Sequence, residues 1–236
     1  MLHLSKFLRE SLTLQYHSEL NPKFWVNIFL KDEVRKQLLE ISKEWLKFAE
    51  IPTSAVEDIV LTGGNANFNY TEDSDLDVHI ILNPKKIPNC AGEEYFKDKK
   101  LIWSLTHDIE IYDTEVEVYA QLGQVKIPDN QGVYSLKTGK WIVKPENLKL
   151  DFEHDDLLKK KIEDAVYEIE HALQNTTDTK AAEKLLEKFQ KLRKHAIAKS
   201  GEFTQDNLIF KELRNRGYID RIREFILKMT DKRLSL

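Results

Sequence analysis

The sequence predicts an α+β fold, a small β-sheet with flanking helices followed by a C-terminal helical bundle. Three observations lead there. One amphipathic helix pattern opens the ordered part, short β-forming runs closed by glycine or proline follow between residues 58 and 143, and from about residue 153 apolar residues recur only at helical spacing. With 236 residues, 41% hydrophobic and 10% aromatic, the chain can build one sizeable domain or two small ones sharing a core. The change of character divides it into residues 1–150, the sheet-bearing part with N-terminal helices, and residues 151–236, a helical domain.

Between Lys31 and Glu50, Val34, Leu38, Ile41, Trp45 and Phe48 recur at three- and four-residue intervals, which predicts a helix with one buried stripe, ended at Pro52. Asp58 to Thr62 reads as a strand entering a tight turn at Gly63-Gly64. Asn65 to Ser74 is a polar loop, and Asp75 to Asn83 a second strand stopped by Pro84. Tyr95 to His107 has helical character, and Glu115 to Leu122 alternates like a strand. Tyr134 to Val143, with Gly139 inside it, reads as a hairpin. Then Leu157, Leu158, Ile162, Val166, Ile169 and Leu173 mark a helix, with similar patterns from Ala181 to Ile197 and from Asn207 to Leu227. Gly201 and Gly217 are the expected helix stops. The four tryptophans, Trp25, Trp45, Trp103 and Trp141, read as core or interface anchors. No repeat, low-complexity tract or long linker separates the halves, so they are expected to pack together.

No run approaches the roughly 20 apolar residues of a membrane-spanning helix. Lys6, Arg9 and Glu10 interrupt any secretory apolar segment at the N-terminus, so the expected location is a cytoplasm. One cysteine, Cys90, allows no intramolecular disulfide and no thiolate zinc site, and reads as a loop thiol. The net charge of -4 hides an asymmetry: residues 180–236 hold 15 Lys and Arg against 8 Asp and Glu, leaving 21 against 32 in residues 1–179. An acidic front beside a basic back suits a polyanionic substrate bridged by metal; solvated helix faces would give the same count.

On the strand from Asp75, alternation puts Leu76, Val78, Ile80 and Leu82 on one face and Asp75, Asp77 and His79 on the other. Two adjacent carboxylates on an otherwise apolar strand repel each other, and a divalent cation is the usual way to offset that. Hard oxygen ligands with few nitrogen or sulfur donors point to Mg2+, with Mn2+ as a substitute. Upstream, a Gly63-Gly64 turn lets the backbone approach an anion and aim its N–H groups at phosphate. Eleven positions separate Gly64 from Asp75. On the later strand Glu117, bracketed by Val116 and Val118, is the preferred third acid, with Glu115 and Asp113 on the same face as alternatives. His79 shares that side as a hydrogen-bonding histidine or a ligand. Lys211 and Arg214, three apart on one helix face, together with Arg193, form either a phosphate clasp or a solvated basic face.

The runs Leu61-Thr-Gly-Gly-Asn65, Asp73-Ser-Asp-Leu-Asp-Val-His-Ile80 and Val116-Glu-Val118 together resemble the nucleotidyltransferase fold of the DNA polymerase β superfamily. The wider chain is similar to predicted nucleotidyltransferases of large tailed bacteriophages in Leu20-Asn-Pro-Lys-Phe-Trp25, Asn67-Phe-Asn-Tyr-Thr71, Gly201-Glu-Phe203 and Gly217-Tyr218, which would make the location a host cytoplasm. The resemblance implies a small mixed sheet carrying the acids, with the helical domain as the other wall of a cleft. It implies transfer of a nucleoside monophosphate from an NTP such as ATP to a hydroxyl of RNA, a small molecule or a protein, with release of pyrophosphate. Asp75, Asp77 and Glu117 would bind two magnesium ions and supply a proton acceptor, while Gly63, Gly64, Ser74, Lys211 and Arg214 would hold the nucleotide. The superfamily's commoner second turn residue is serine. Gly64 keeps only the backbone N–H, and a lost hydrogen bond to phosphate costs about 1.5–3 kcal/mol. That leaves open a catalytically silent nucleotide-binding or assembly protein with the same fold.

Overall fold

The computed structural model describes residues 12–88, 92–123, 131–176, 178–200 and 203–235, so Cys90 and Gly201 lie outside the described residues. The chain forms two compact units, Tyr16–Lys149 and Leu150–Leu236, the second including the described part of Met1–Gln15. The architecture is α+β. No helix among the described residues is long and apolar enough to cross a membrane.

The first unit is built on a five-stranded sheet in the order β5-β4-β3-β6-β7: β3 (Val56–Thr62), β4 (Leu76–Leu82), β5 (Val116–Leu122), β6 (Val133–Ser135) and β7 (Lys140–Val143). Strand β4 runs parallel to β5, while the β3–β4, β3–β6 and β6–β7 pairs are antiparallel, so the sheet is mixed. A parallel pair needs a crossover, supplied here by helix α2 (Glu93–Thr106). Helix α1 (Asp32–Phe48) precedes the sheet, with Asp32 and Glu33 in its first turn and Lys47 in its last, each sign matching the helix dipole. Its stripe of Val34, Leu38, Ile41 and Trp45 is buried. That stripe joins Phe96 and Trp103 of α2 and Leu76, Val78, Ile80, Val116 and Val118 of the sheet in one core. A smaller cluster, Val60, Ile81 and Val133, contains the alternate strand residues.

Two-residue strands β1 (Trp25–Val26) and β2 (Phe29–Leu30) form a hairpin that is too short to leave a periodic pattern in sequence. Trp25, Trp45 and Trp103 are buried in the core, and Trp141 stacks on Trp25 with ring centroids 4.8 Å apart.

The second unit contains α3 (Asp156–Asn175), α4 (Thr179–Ser200), α5 (Gln205–Asn215) and α6 (Tyr218–Leu234). Asp155 caps α3 by accepting from the Leu158 N–H at 2.9 Å. The single apolar pattern from Asn207 to Leu227 resolves into two helices. Gly217 lies between them in the left-handed region at φ 74°, and its N–H donates to the Arg214 carbonyl at 2.8 Å.

Candidate active site

Where β3 ends, antiparallel register sets Thr62 opposite Asp77 on β4, so the turn that follows Thr62 is delivered to the Asp77 side chain. Gly63 adopts φ 77°. A Cβ there would fall 1.8 Å from Asp77 Oδ2 and 2.7 Å from Asp77 Cγ, so the left-handed backbone favours glycine and any side chain would force the Asp77 carboxylate to move. A short 3-10 turn, Gly64–Ala66, follows, in which the N–H groups of Ala66 and Asn67 donate to the carbonyls of Gly63 and Gly64 at 3.2 and 3.0 Å.

Two buried asparagines hold this turn. Asn65 donates through Nδ2 to the carbonyls of Ser74 at 2.6 Å and Asp75 at 3.0 Å, and its Oδ1 accepts from Asn21 Nδ2 at 2.8 Å. The Asn65 carbonyl accepts from Trp25 Nε1 at 2.7 Å. Asn67 donates to the Gly63 carbonyl at 2.7 Å and accepts from the Gly132 N–H at 2.8 Å. The glycine turn and the start of β4 are thus tied through one amide side chain. Composition did not single out either asparagine. The available signal was their place in a polar stretch directly after a strand and a Gly-Gly pair.

Ser74 is drawn into the same loop: its Oγ accepts from the Thr71 N–H at 2.8 Å and lies 3.2 Å from Thr71 Oγ1. A Cβ on Gly64 would come within 2.9 Å of that hydroxyl. The space beside position 64 is therefore bounded by the Ser74 hydroxyl.

Strand alternation is visible in burial: Leu76, Val78 and Ile80 are fully buried, while Asp75, Asp77 and His79 are intermediate. On the neighbouring strand Glu117 is the parallel register partner of Asp77, and Tyr119 that of His79. Of the three acids weighed for the later strand, Glu117 is the one within β5. Asp113 sits in a loop at φ 55°, and Glu115 precedes β5 with its carbonyl accepting from the Leu76 N–H at 2.9 Å.

The Glu117 carboxylate is met by Lys100 of α2, whose Nζ lies 2.6 Å from Oε2, both side chains being about one-third exposed at 34% and 36%. Lys100 also lies 5.9 Å from the Tyr119 ring centroid. This lysine was missed in the sequence, because a helix-to-strand contact across 17 residues leaves no spacing signal. Among the described residues no group of three His, Cys, Asp or Glu side chains is placed to hold a metal ion. Glu117, beside Asp77 in register, has the Lys100 ammonium as a partner.

His79 packs edge-on to Tyr119 at 5.4 Å, with its Nδ1 buried and without a hydrogen-bond partner among the described residues. Burial pushes its pKa below the ordinary imidazole value, against the opposing effect of a Gln121 hydrogen bond.

Lys211 and Arg214 belong to α5 of the helical unit, the first half-buried and the second exposed. Arg193 of α4 lies over the Phe210 ring at 4.9 Å, beside Lys211 in sequence. The three basic residues thus occupy adjoining helices of one unit.

No protein-family model matches this chain, and no curated protein does. Two solved structures share weak similarity. The CdnE cyclic dinucleotide synthase of Elizabethkingia meningoseptica, solved with GTP and Apcpp, is 14% identical over 96% of this chain and 82% of its own, with a TM-score of 0.29. The STING-associated CdnE c-di-GMP synthase of Capnocytophaga granulosa is 10% identical over 86% of this chain and 83% of its own, with a TM-score of 0.21.

Proposed function

We propose that this protein is a nucleotidyltransferase, moving a nucleoside monophosphate from an NTP, supplied as its magnesium complex, to a hydroxyl acceptor and releasing pyrophosphate. The observation that carries this reading is the approach of Gly63 to Asp77, where even one added methyl group would collide with the carboxylate. A glycine turn able to face phosphate and a carboxylate able to face the attacking hydroxyl then adjoin. The acceptor oxygen bonds to the α-phosphorus as the bond to pyrophosphate breaks. Asp77 or Asp75 takes the hydroxyl proton. Backbone N–H groups of the Gly63-Gly64 turn meet charge on the phosphate oxygens. RNA, a small molecule or a protein remain the acceptor classes.

A second reading, a silent nucleotide-binding protein, draws on one observation, the Lys100–Glu117 ion pair in place of a third open carboxylate. Melting of the protein with each NTP and magnesium tests nucleotide binding, which both readings require. Bound nucleotide raises the melting temperature by mass action, by about 2.7 kcal/mol of stabilisation at a hundredfold excess over Kd. Asp75→Ala with Asp77→Ala abolishes the rise. No shift with any NTP refutes both readings.

A further inference from the structure

The helical unit contains an open groove of about 420 Å³ between α3 and α4, the size of a small-ligand site. On the α3 side Tyr167 and His171 stand one turn apart, with ring centroids 5.9 Å apart and planes inclined by 31°, and together offer an aromatic wall. On the α4 side Lys184 and Lys188 stand one turn apart, and Ala172, Ala181 and Leu185 supply the apolar lining between the two ladders. We propose that this groove binds a nucleoside monophosphate, its base laid on the Tyr167–His171 wall and its phosphate held by Lys184. The site lies wholly within the helical unit and stands apart from the nucleotidyltransferase reading.

The polar groups around the groove divide into committed and available ones. Lys188 Nζ donates to both Glu168 oxygens, at 2.7 and 2.5 Å, and so ties α4 to α3. Lys184 has no ion pair or hydrogen bond among the described residues, and the carboxylate three positions on, Glu187, is taken by Lys191. The Tyr167 hydroxyl and the His171 ring nitrogens likewise have no hydrogen-bond partner among the described residues. Tyr167 is 57% exposed, which leaves its ring open to a ligand. These available groups select the ligand. A wall of tyrosine and histidine takes a flat π-system. The hydroxyl and the imidazole nitrogens can exchange hydrogen bonds with the polar edge of a heterocycle, which a plain hydrocarbon ring lacks. The Lys184 ammonium takes an anion, and phosphate is a usual partner of a lysine point charge. A nucleobase on a phosphorylated sugar combines all three.

The test is equilibrium dialysis of the full-length protein against radiolabelled AMP in EDTA, so that metal-bridged binding contributes nothing. Saturable binding is expected, and Tyr167→Ala and Lys184→Glu should each weaken it about tenfold or more, the loss that one stacked base or one charged phosphate contact carries. Both side chains are exposed, so neither replacement disturbs the helical core. Adenosine and inorganic phosphate, which each carry one part of the ligand, should compete about tenfold less well than AMP. Absence of saturable binding, unweakened binding in either variant, or competition by phosphate equal to that of AMP overturns the inference. Binding that Asp77→Ala abolishes overturns it too, since the AMP would then sit in the sheet unit.

Discussion

Glu212 of the helical unit and Asn65 of the sheet unit are both fully buried polar residues that tie distant chain segments together, and the two do different things. In the helical unit Glu212 accepts from the Thr13 N–H at 3.0 Å, Thr13 Oγ1 at 2.7 Å, the Leu14 N–H at 3.1 Å and Arg216 Nε at 2.7 Å. Every one of those donors lies within the helical unit, so the residue ties Thr13 and Leu14 to α5 and Arg216. In the sheet unit Asn65 is equally buried, but two of its hydrogen bonds go to the carbonyls of Ser74 and Asp75, which lead into the candidate site. A buried polar group is conspicuous in either case; what it supports decides whether it bears on chemistry.

The comparison can be broken by substitution. Glu212→Ala leaves Arg216 and two backbone donors without their acceptor, and should destabilise the helical unit by about 3–5 kcal/mol in urea unfolding. Nucleotide transfer per folded molecule should be unchanged. Asn65→Ala should cost about 2–3 kcal/mol, since buried partners are left unsatisfied, and should also reduce transfer sharply by freeing the Asp75 backbone. Gly63→Ala should cost about 1–3 kcal/mol, from a left-handed backbone carrying a side chain, and abolish transfer by displacing Asp77. Equal loss of transfer in Glu212→Ala and Asn65→Ala would erase the distinction.

The smallest effect is expected at His79. Its folded pKa is depressed by burial, so the unfolded chain takes up a proton more readily. Its contribution is therefore present above about pH 6.5, the ordinary imidazole value, and is lost as the pH falls below that. The melting temperature of His79→Gln should decline less than that of the unmodified protein between pH 7 and pH 5.

Much of the sheet was legible because β4 alternates cleanly and Pro84 and the Gly63-Gly64 turn punctuate it. The α1 stripe was legible for the same reason at helical period. The β1–β2 hairpin was not, since two-residue strands have no period, and neither were the two helices hidden in the pattern from Asn207 to Leu227 except through Gly217. Side-chain partnerships across elements escaped altogether. Lys100 reaches Glu117 because of how α2 lies along β5, and Asn65 bonds Asn21 across 44 residues. Such pairings are products of packing, and residue spacing along the chain carries no trace of them.

The central claim, that the Gly63–Asp77 corner handles a nucleotide, is tested most directly by incubating the protein with each α-labelled NTP and a lysate. One NTP should leave its label on an acceptor, and Asp77→Ala and Gly63→Ala should leave none. Label transferred as well by Asp77→Ala as by the unmodified protein would contradict the account.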